Sequence, residues 1–136
     1  MQAHKSLAER RRLSVLLVDD NVDFVLTLAT ILRDEGHVVH TCANARLVAE
    51  MVEQHKPDVC VLDIVMPGKS GLEVAKDIRD LNLPRPPLLI AMSAVYTLTS
   101  EKTTMRGFER FVKKSADPNE LLRLLDSIAG TDPQSA

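Results

Sequence analysis

Short apolar runs that end on a carboxylate constrain this chain more than any other feature. Val15-Leu16-Leu17-Val18 runs into Asp19-Asp20, and Val59-Cys60-Val61-Leu62 runs into Asp63. Four apolar residues in a row show no period-two alternation, so each run suits a strand covered on both faces. A carboxylate carried further into such a core would lose its water, so each acid is expected at the mouth of its strand. Three acids gathered on one edge of one sheet repel one another, and a bound hard cation is the expected remedy.

Between the strands the apolar period lengthens. Asp23 precedes a helical pattern of Phe24, Leu28, Ile31 and Leu32, closed by Gly36 as a C-cap. A second strand is expected over Val38 to Thr41. A helix then opens at Ala43 or Asn44 and carries Leu47, Val48, Met51 and Val52 along one face. Pro57-Asp58 separates it from the third strand, which ends at Asp63. Beyond the loop from Met66 to Gly71, the residues Leu72, Val74, Ala75, Ile78 and Leu81 mark another helix. Pro84-Arg85-Pro86-Pro87 stops it before a strand over Leu88 to Met92. Threonines weaken a helical reading of Thr99 to Arg106. The fifth strand is Arg110 to Lys113, and a last helix starts at Pro118 with Leu121, Leu122, Leu124, Leu125 and Ile128 in its apolar stripe.

Five strand and helix repeats imply an α/β fold, a doubly wound parallel sheet with helices on both faces. Ligands bind such sheets at the carboxyl ends of the strands. That rule gathers Asp19, Asp20, Asp63 and Ser93 in one crevice, with Lys114 at the end of the fifth strand able to reach it.

Length fits one domain over residues 14–129, between polar tails at 1–13 and 130–136, the first carrying Arg10-Arg11-Arg12 as a solvated cluster. A net charge of -2 gives no general attraction to nucleic acid or anionic membrane, and no apolar stretch is long enough to insert in a bilayer. The charged amino terminus does not read as an export signal, which predicts a cytoplasmic location. Cys42 and Cys60 form no paired metal-ligand pattern and read as reduced packing thiols. His4, His37, His40 and His55 are scattered, fit surface or loop positions, and are assigned no chemistry.

Taken in order, Leu17-Val18-Asp19-Asp20-Asn21, the stretch from Leu62 to Gly71, Ser93-Ala94, Phe111-Val112-Lys113-Lys114 and Asp117-Pro118-Asn119-Glu120-Leu121-Leu122 resemble the receiver domain of bacterial response regulators, the CheY-like proteins of two-component signalling. The resemblance covers Ser14 to Ala129 and implies a (βα)5 flavodoxin-like sheet of strand order 2-1-3-4-5. It implies that Asp63 accepts a phosphoryl group from the phosphohistidine of a sensor histidine kinase or a histidine phosphotransfer protein. Mg²⁺ would take oxygens from Asp20, Asp63 and the Val65 backbone carbonyl, with Asp19 acting largely through a water. Ser93 would supply a hydroxyl and Lys114 an ammonium, and Phe111 would be the aromatic switch. Alignment on Asp117-Pro118 makes Lys114, not Lys113, the site lysine. The implied protein is a stand-alone receiver that catalyses only its own phosphorylation and dephosphorylation. It would signal to a downstream protein target, as a monomer or as a weak dimer formed on phosphorylation.

Four positions depart from the pattern. Ser115 follows Lys114 where the family usually has a cis proline, which predicts a rearranged loop and a less tightly placed lysine, because a non-proline peptide bond favours trans by roughly 2.5 to 4 kcal/mol. Phe108 stands where a small residue is usual, which predicts local repacking. Val65 and Val95 are apolar where relatives carry polar side chains, which predicts slow loss of phosphate. The main alternative is a pseudo-receiver, a constitutive interaction module that is not phosphorylated. A phosphatase would need a carboxylate where Val65 stands, and a dinucleotide-binding domain would need a G-x-G-x-x-G after the first strand.

Overall fold

The computed structural model describes residues 12–94, 107–114 and 117–130. Its elements run β1 (Ser14–Val18), α1 (Val22–Asp34), β2 (Val38–Cys42), a 3-10 turn (Ala45–Leu47), α2 (Val48–His55), β3 (Val59–Asp63), α3 (Gly71–Asp80), β4 (Leu88–Ser93), β5 (Arg110–Lys113) and α4 (Pro118–Gly130). The strands form one parallel sheet in the order β2-β1-β3-β4-β5, as expected. The helix expected over Thr99 to Arg106 lies outside the described residues.

The doubly covered sheet accounts for the unalternating strands. Leu16, Val18, Cys60, Leu62, Leu89 and Ala91 pack on the side of α2 and α3, with Val48, Val52, Val74 and Ile78. Val15, Leu17, Val59, Val61, Ile90 and Met92 face the other way, with Val25, Leu28 and Leu32 of α1 and Leu121 and Leu125 of α4. Every β3 residue is buried, and each fully buried Val or Leu there contributes roughly 1.5–3 kcal/mol over an exposed one. Cys42 and Cys60 are free and buried, and burial pushes the Cys60 thiol far above its ordinary range, so it stays a packing group.

Local chemistry sets where the helices begin. Asn21 caps α1 through its side-chain oxygen, which accepts from the Phe24 N–H at 3.1 Å. Ser70 and Glu73 form a reciprocal capping box at the start of α3. The helix expected to open at Ala43 or Asn44 starts instead as the 3-10 turn, because the Asn44 side chain caps the Arg46 N–H at 3.0 Å and tightens the first turn. Glu35 is the cap of α1, and Gly36 is the residue just past it, at φ +96°.

At the amino edge of the sheet, the Ser14 N–H donates to Asp58 Oδ2 at 2.8 Å, and the Leu13 N–H donates to His37 Nδ1 at 3.4 Å. His37, expected at a surface or loop position, lies in the loop after α1 but is buried there, tying it to the start of β1. Desolvation lowers its pKa, with Asp126 and Glu35 acting in opposition. The bulky Phe108 is buried in the core beside α3, while Arg79 of α3 donates to the Gly107 carbonyl and to Glu109 Oε1 at 2.8 Å.

Candidate functional site

The carboxyl ends of β1, β3, β4 and β5 meet at one edge of the sheet. Register alone aligns them: Val18 of β1 lies beside Leu62 of β3, Asp63 beside Met92 of β4, and Ser93 beside Lys113 of β5. Asp19, Asp63 and Ser93 are buried there, while Asp20 is exposed.

Asp19 and Asp63 are held by backbone. The Asp19 N–H donates to the Cys42 carbonyl at 3.1 Å, and Asp19 Oδ1 accepts from the Asn21 N–H at 2.9 Å. Asp63 Oδ1 accepts from the Val65 N–H at 3.2 Å, and the chain beyond is pinned by Ile64 N–H donating to the Met92 carbonyl at 2.9 Å. The Lys114 N–H donates to the Ser93 carbonyl at 2.8 Å, which brings the side chain over the same edge. Its ammonium donates to Asp63 Oδ2 at 3.3 Å and lies 2.8 Å from Asp19 Oδ2. The loosely held lysine expected from Ser115 is thus not what is found, since the ammonium has close contacts with two carboxylates. The Lys114 side chain is 22% exposed. The loop at Ser115 itself lies outside the described residues.

Asp19, Asp20 and Asp63 each present an oxygen within 4.8 Å of the others. Asp19 Oδ2 is buried, with the Lys114 ammonium 2.8 Å away as its close polar contact. Three carboxylates, two of them buried, beside one ammonium leave an excess of negative charge and a set of hard oxygen donors that fit a divalent cation. Burial first, and then the charge of Asp19, raise the Asp63 pKa to about 6, although Lys114 and the Val65 N–H pull the other way. Burial also works against the Lys114 charge, but the Asp19 and Asp63 carboxylates outweigh it and hold its pKa above the usual lysine range.

The remaining predicted residues are placed as follows. Ser93 ends β4, buried, one strand from Asp63. Val65 stands 67% exposed just past Asp63. Phe111 lies on β5 beside Ala91, half-buried against the core of α2 and α3. Val95 lies outside the described residues. Two residues at the site were read only as parts of a motif or of an apolar stripe. Gly71 packs against the Asp63 carbonyl, where an added Cβ would come within 2.3 Å of the oxygen. The Phe24 ring centroid lies 5.1 Å from the Lys114 ammonium. The capping pattern Asn21-x-x-Phe24 was the one available signal for Phe24, since it places that residue in the first turn of α1, beside Asp19.

A parallel sheet of this order, with acids and a lysine at its carboxyl edge, defines a doubly wound α/β domain with an acidic crevice at the strand ends. The chain belongs to the response regulator receiver domain family, which residues 15–126 match. It is 30% identical over 126 residues to an uncharacterized 14.6 kDa protein of Leptolyngbya boryana, covering 92% of this chain and 96% of that one. Its fold is similar to the chemotaxis protein CheY4 of Vibrio cholerae, with a TM-score of 0.79 at 23% identity over 86% of this chain and 98% of that one. It is also similar to the Thermotoga maritima response regulator TrrA, solved in complex with Mg²⁺-BeF, with a TM-score of 0.74 at 29% identity over 85% of this chain and 97% of that one. Receiver domains are signalling modules of two-component systems that work with histidine kinases or phosphotransfer proteins and downstream targets. Phosphorylation and Mg²⁺-dependent switching are typical of the family, and its acidic residues typically bind the ion. No helix among the described residues is long and apolar enough to cross a membrane.

Proposed function

We propose that the chain acts as a stand-alone receiver, taking a phosphoryl group on Asp63 and converting it into a changed protein-binding surface. The observation that carries this reading is the single ammonium of Lys114 in contact with both Asp19 and Asp63 inside a group of three carboxylates. The likeness to the Leptolyngbya boryana protein over 96% of that protein's length supports a receiver working as a unit of its own.

In the proposed step an Asp63 carboxylate oxygen attacks the phosphorus of a phosphohistidine. The new O–P bond forms as the N–P bond breaks, and the imidazole nitrogen leaves with the electron pair. Asp19, Asp20, Asp63 and the Val65 carbonyl would hold Mg²⁺, which when bound would supply positive charge against the phosphoryl oxygens. Lys114 would add its ammonium to those oxygens and Ser93 its hydroxyl. A raised Asp63 pKa is the expected state of a buried nucleophile beside Asp19 without a cation, and a cation would restore its ionised, attacking form.

The phosphoryl charge would draw Ser93 and Lys114 toward Asp63 and favour a state in which Phe111 turns inward. The proposed partners are a histidine kinase or phosphotransfer protein upstream and a protein target downstream, in the cytoplasm. A pull-down comparing wild type with Asp63→Ala, each with and without phosphodonor, tests this output. Binding that changes with phosphodonor in wild type alone supports the switch, and binding identical in all four samples supports a constitutive interaction module instead.

A further inference from the structure

We infer that Phe24 is a positioning residue for Lys114, holding the ammonium where a phosphoryl group on Asp63 needs it. The inference rests on the reading of Asp63 as the phosphoacceptor. A lysine ammonium is a point charge on a flexible four-carbon stem, so main-chain placement alone does not locate it. Here the Lys114 ammonium meets three surfaces: Asp19 Oδ2 at 2.8 Å, Asp63 Oδ2 at 3.3 Å and the Phe24 ring, whose centroid is 5.1 Å away. An aromatic face within about 6 Å attracts a cation through its quadrupole, whereas an aliphatic surface of the same bulk only desolvates it.

The ring is placed by the acid that the lysine also touches. Asp19 Oδ1 accepts from the Asn21 N–H at 2.9 Å, and Asn21 Oδ1 accepts from the Phe24 N–H at 3.1 Å. Asp19, Asn21, Phe24 and Lys114 thus close a circuit of contacts, with Asp19 at both ends. The first turn of α1 is therefore in register with the ammonium, and a shift of either would strain the other. Without the ring, the ammonium has only the two carboxylates to choose between, and it already lies nearer Asp19 than Asp63. An ammonium left on Asp19 would give the phosphoryl oxygens less of its charge. Packing is the competing role, since Phe24 also rests against the core between α1 and α4. Leucine preserves most of that packing and removes the π face, so the two roles separate.

The test measures phosphorylation rate against acetyl phosphate concentration, with Mg²⁺, by intact mass. Wild type, Phe24→Leu, Phe24→Tyr, Lys114→Met and the double variant Phe24→Leu/Lys114→Met are compared. The expected result is a maximal rate about three- to tenfold lower for Phe24→Leu, the loss of one partly desolvated cation–π contact. The half-saturating donor concentration should stay nearly unchanged, Phe24→Tyr should restore the rate, and Phe24→Leu should cause no further loss in the Lys114→Met background. An unchanged rate in Phe24→Leu, or an equal loss in both backgrounds, overturns the inference. If Phe24→Leu fails to fold, Phe24→Met serves in its place. A second readout needs no phosphate: the ring-current displacement of the Lys114 Cε protons in the NMR spectrum. It should be present in wild type and Phe24→Tyr and lost in Phe24→Leu, and its absence from wild type removes the contact and the inference with it. If wild type shows the displacement but takes up no phosphate, the phosphoacceptor reading fails, and positioning for transfer falls with it.

Discussion

Gly71 lies against Asp63 so closely that a Cβ at position 71 would sit 2.3 Å from the Asp63 carbonyl oxygen and 2.9 Å from the Ile64 Cα. Both neighbours are backbone, so neither can swing away as a flexible side-chain tip could. The first residue of α3 is glycine for this steric reason, which lets the helix start directly beneath the end of β3. The Gly71 N–H donates to the Ile64 carbonyl at 2.9 Å, so the same approach ties α3 to the strand that carries the candidate phosphoacceptor.

Gly71→Ala should therefore destabilise the protein by about 1–3 kcal/mol, the usual cost of forcing atoms into a filled site. Urea unfolding checks it, and phosphate uptake should fall as well, because relief of the clash has to move Asp63 or Ile64.

The raised Asp63 pKa makes a signed prediction about pH. A carboxyl group whose folded pKa is about 6 against an ordinary 3.8 binds more protons when folded, so its contribution favours the fold below pH 3.8 and is lost as pH rises through 6. Without divalent cations, Asp63→Asn should be more stable than wild type at pH 7 by about 2–3 kcal/mol, with the gap closing toward pH 4. Adding Mg²⁺ at pH 7 should raise the wild-type Tm more than that of Asp63→Asn. Thermal unfolding at several pH values, with and without Mg²⁺, measures both effects.

Much of this site was legible because carboxylates that end apolar runs have few places to go. Asp19 and Asp63 terminate β1 and β3 where buried strands must meet water, and the parallel order then brings them together. Contacts between elements distant in the chain were not legible. Phe24 read as one member of an apolar helical stripe, since periodicity reports which face is buried and not what lies across from it. Gly71 read as part of a motif, since its clash with Asp63 arises only once α3 folds back on β3. His37 read as a surface or loop residue, and its burial in the loop was not legible because its partner is the Leu13 N–H, 24 positions away. Ser115 suggested a loose Lys114, but the ammonium is placed by Asp19, Asp63 and Phe24, which no feature of the following residue reports.

Val65 stands exposed beside Asp63 and offers an attacking water no polar group. Phosphate on Asp63 should consequently be lost slowly, and Val65→Gln should speed its loss roughly three- to tenfold, less than the 10²–10⁴ of a fully positioned acid or base. The decay of phosphorylated protein after removal of donor measures this. Decay that is fast in wild type and unaltered in Val65→Gln would contradict the reading.

The most direct measurement of the central claim is intact mass after incubation with acetyl phosphate and Mg²⁺, for wild type and Asp63→Asn. The account predicts the mass of one added phosphoryl group in wild type, abolished by chelating Mg²⁺ and absent from Asp63→Asn. An equal gain in Asp63→Asn, or no gain in wild type with Mg²⁺ at any donor concentration, would contradict it.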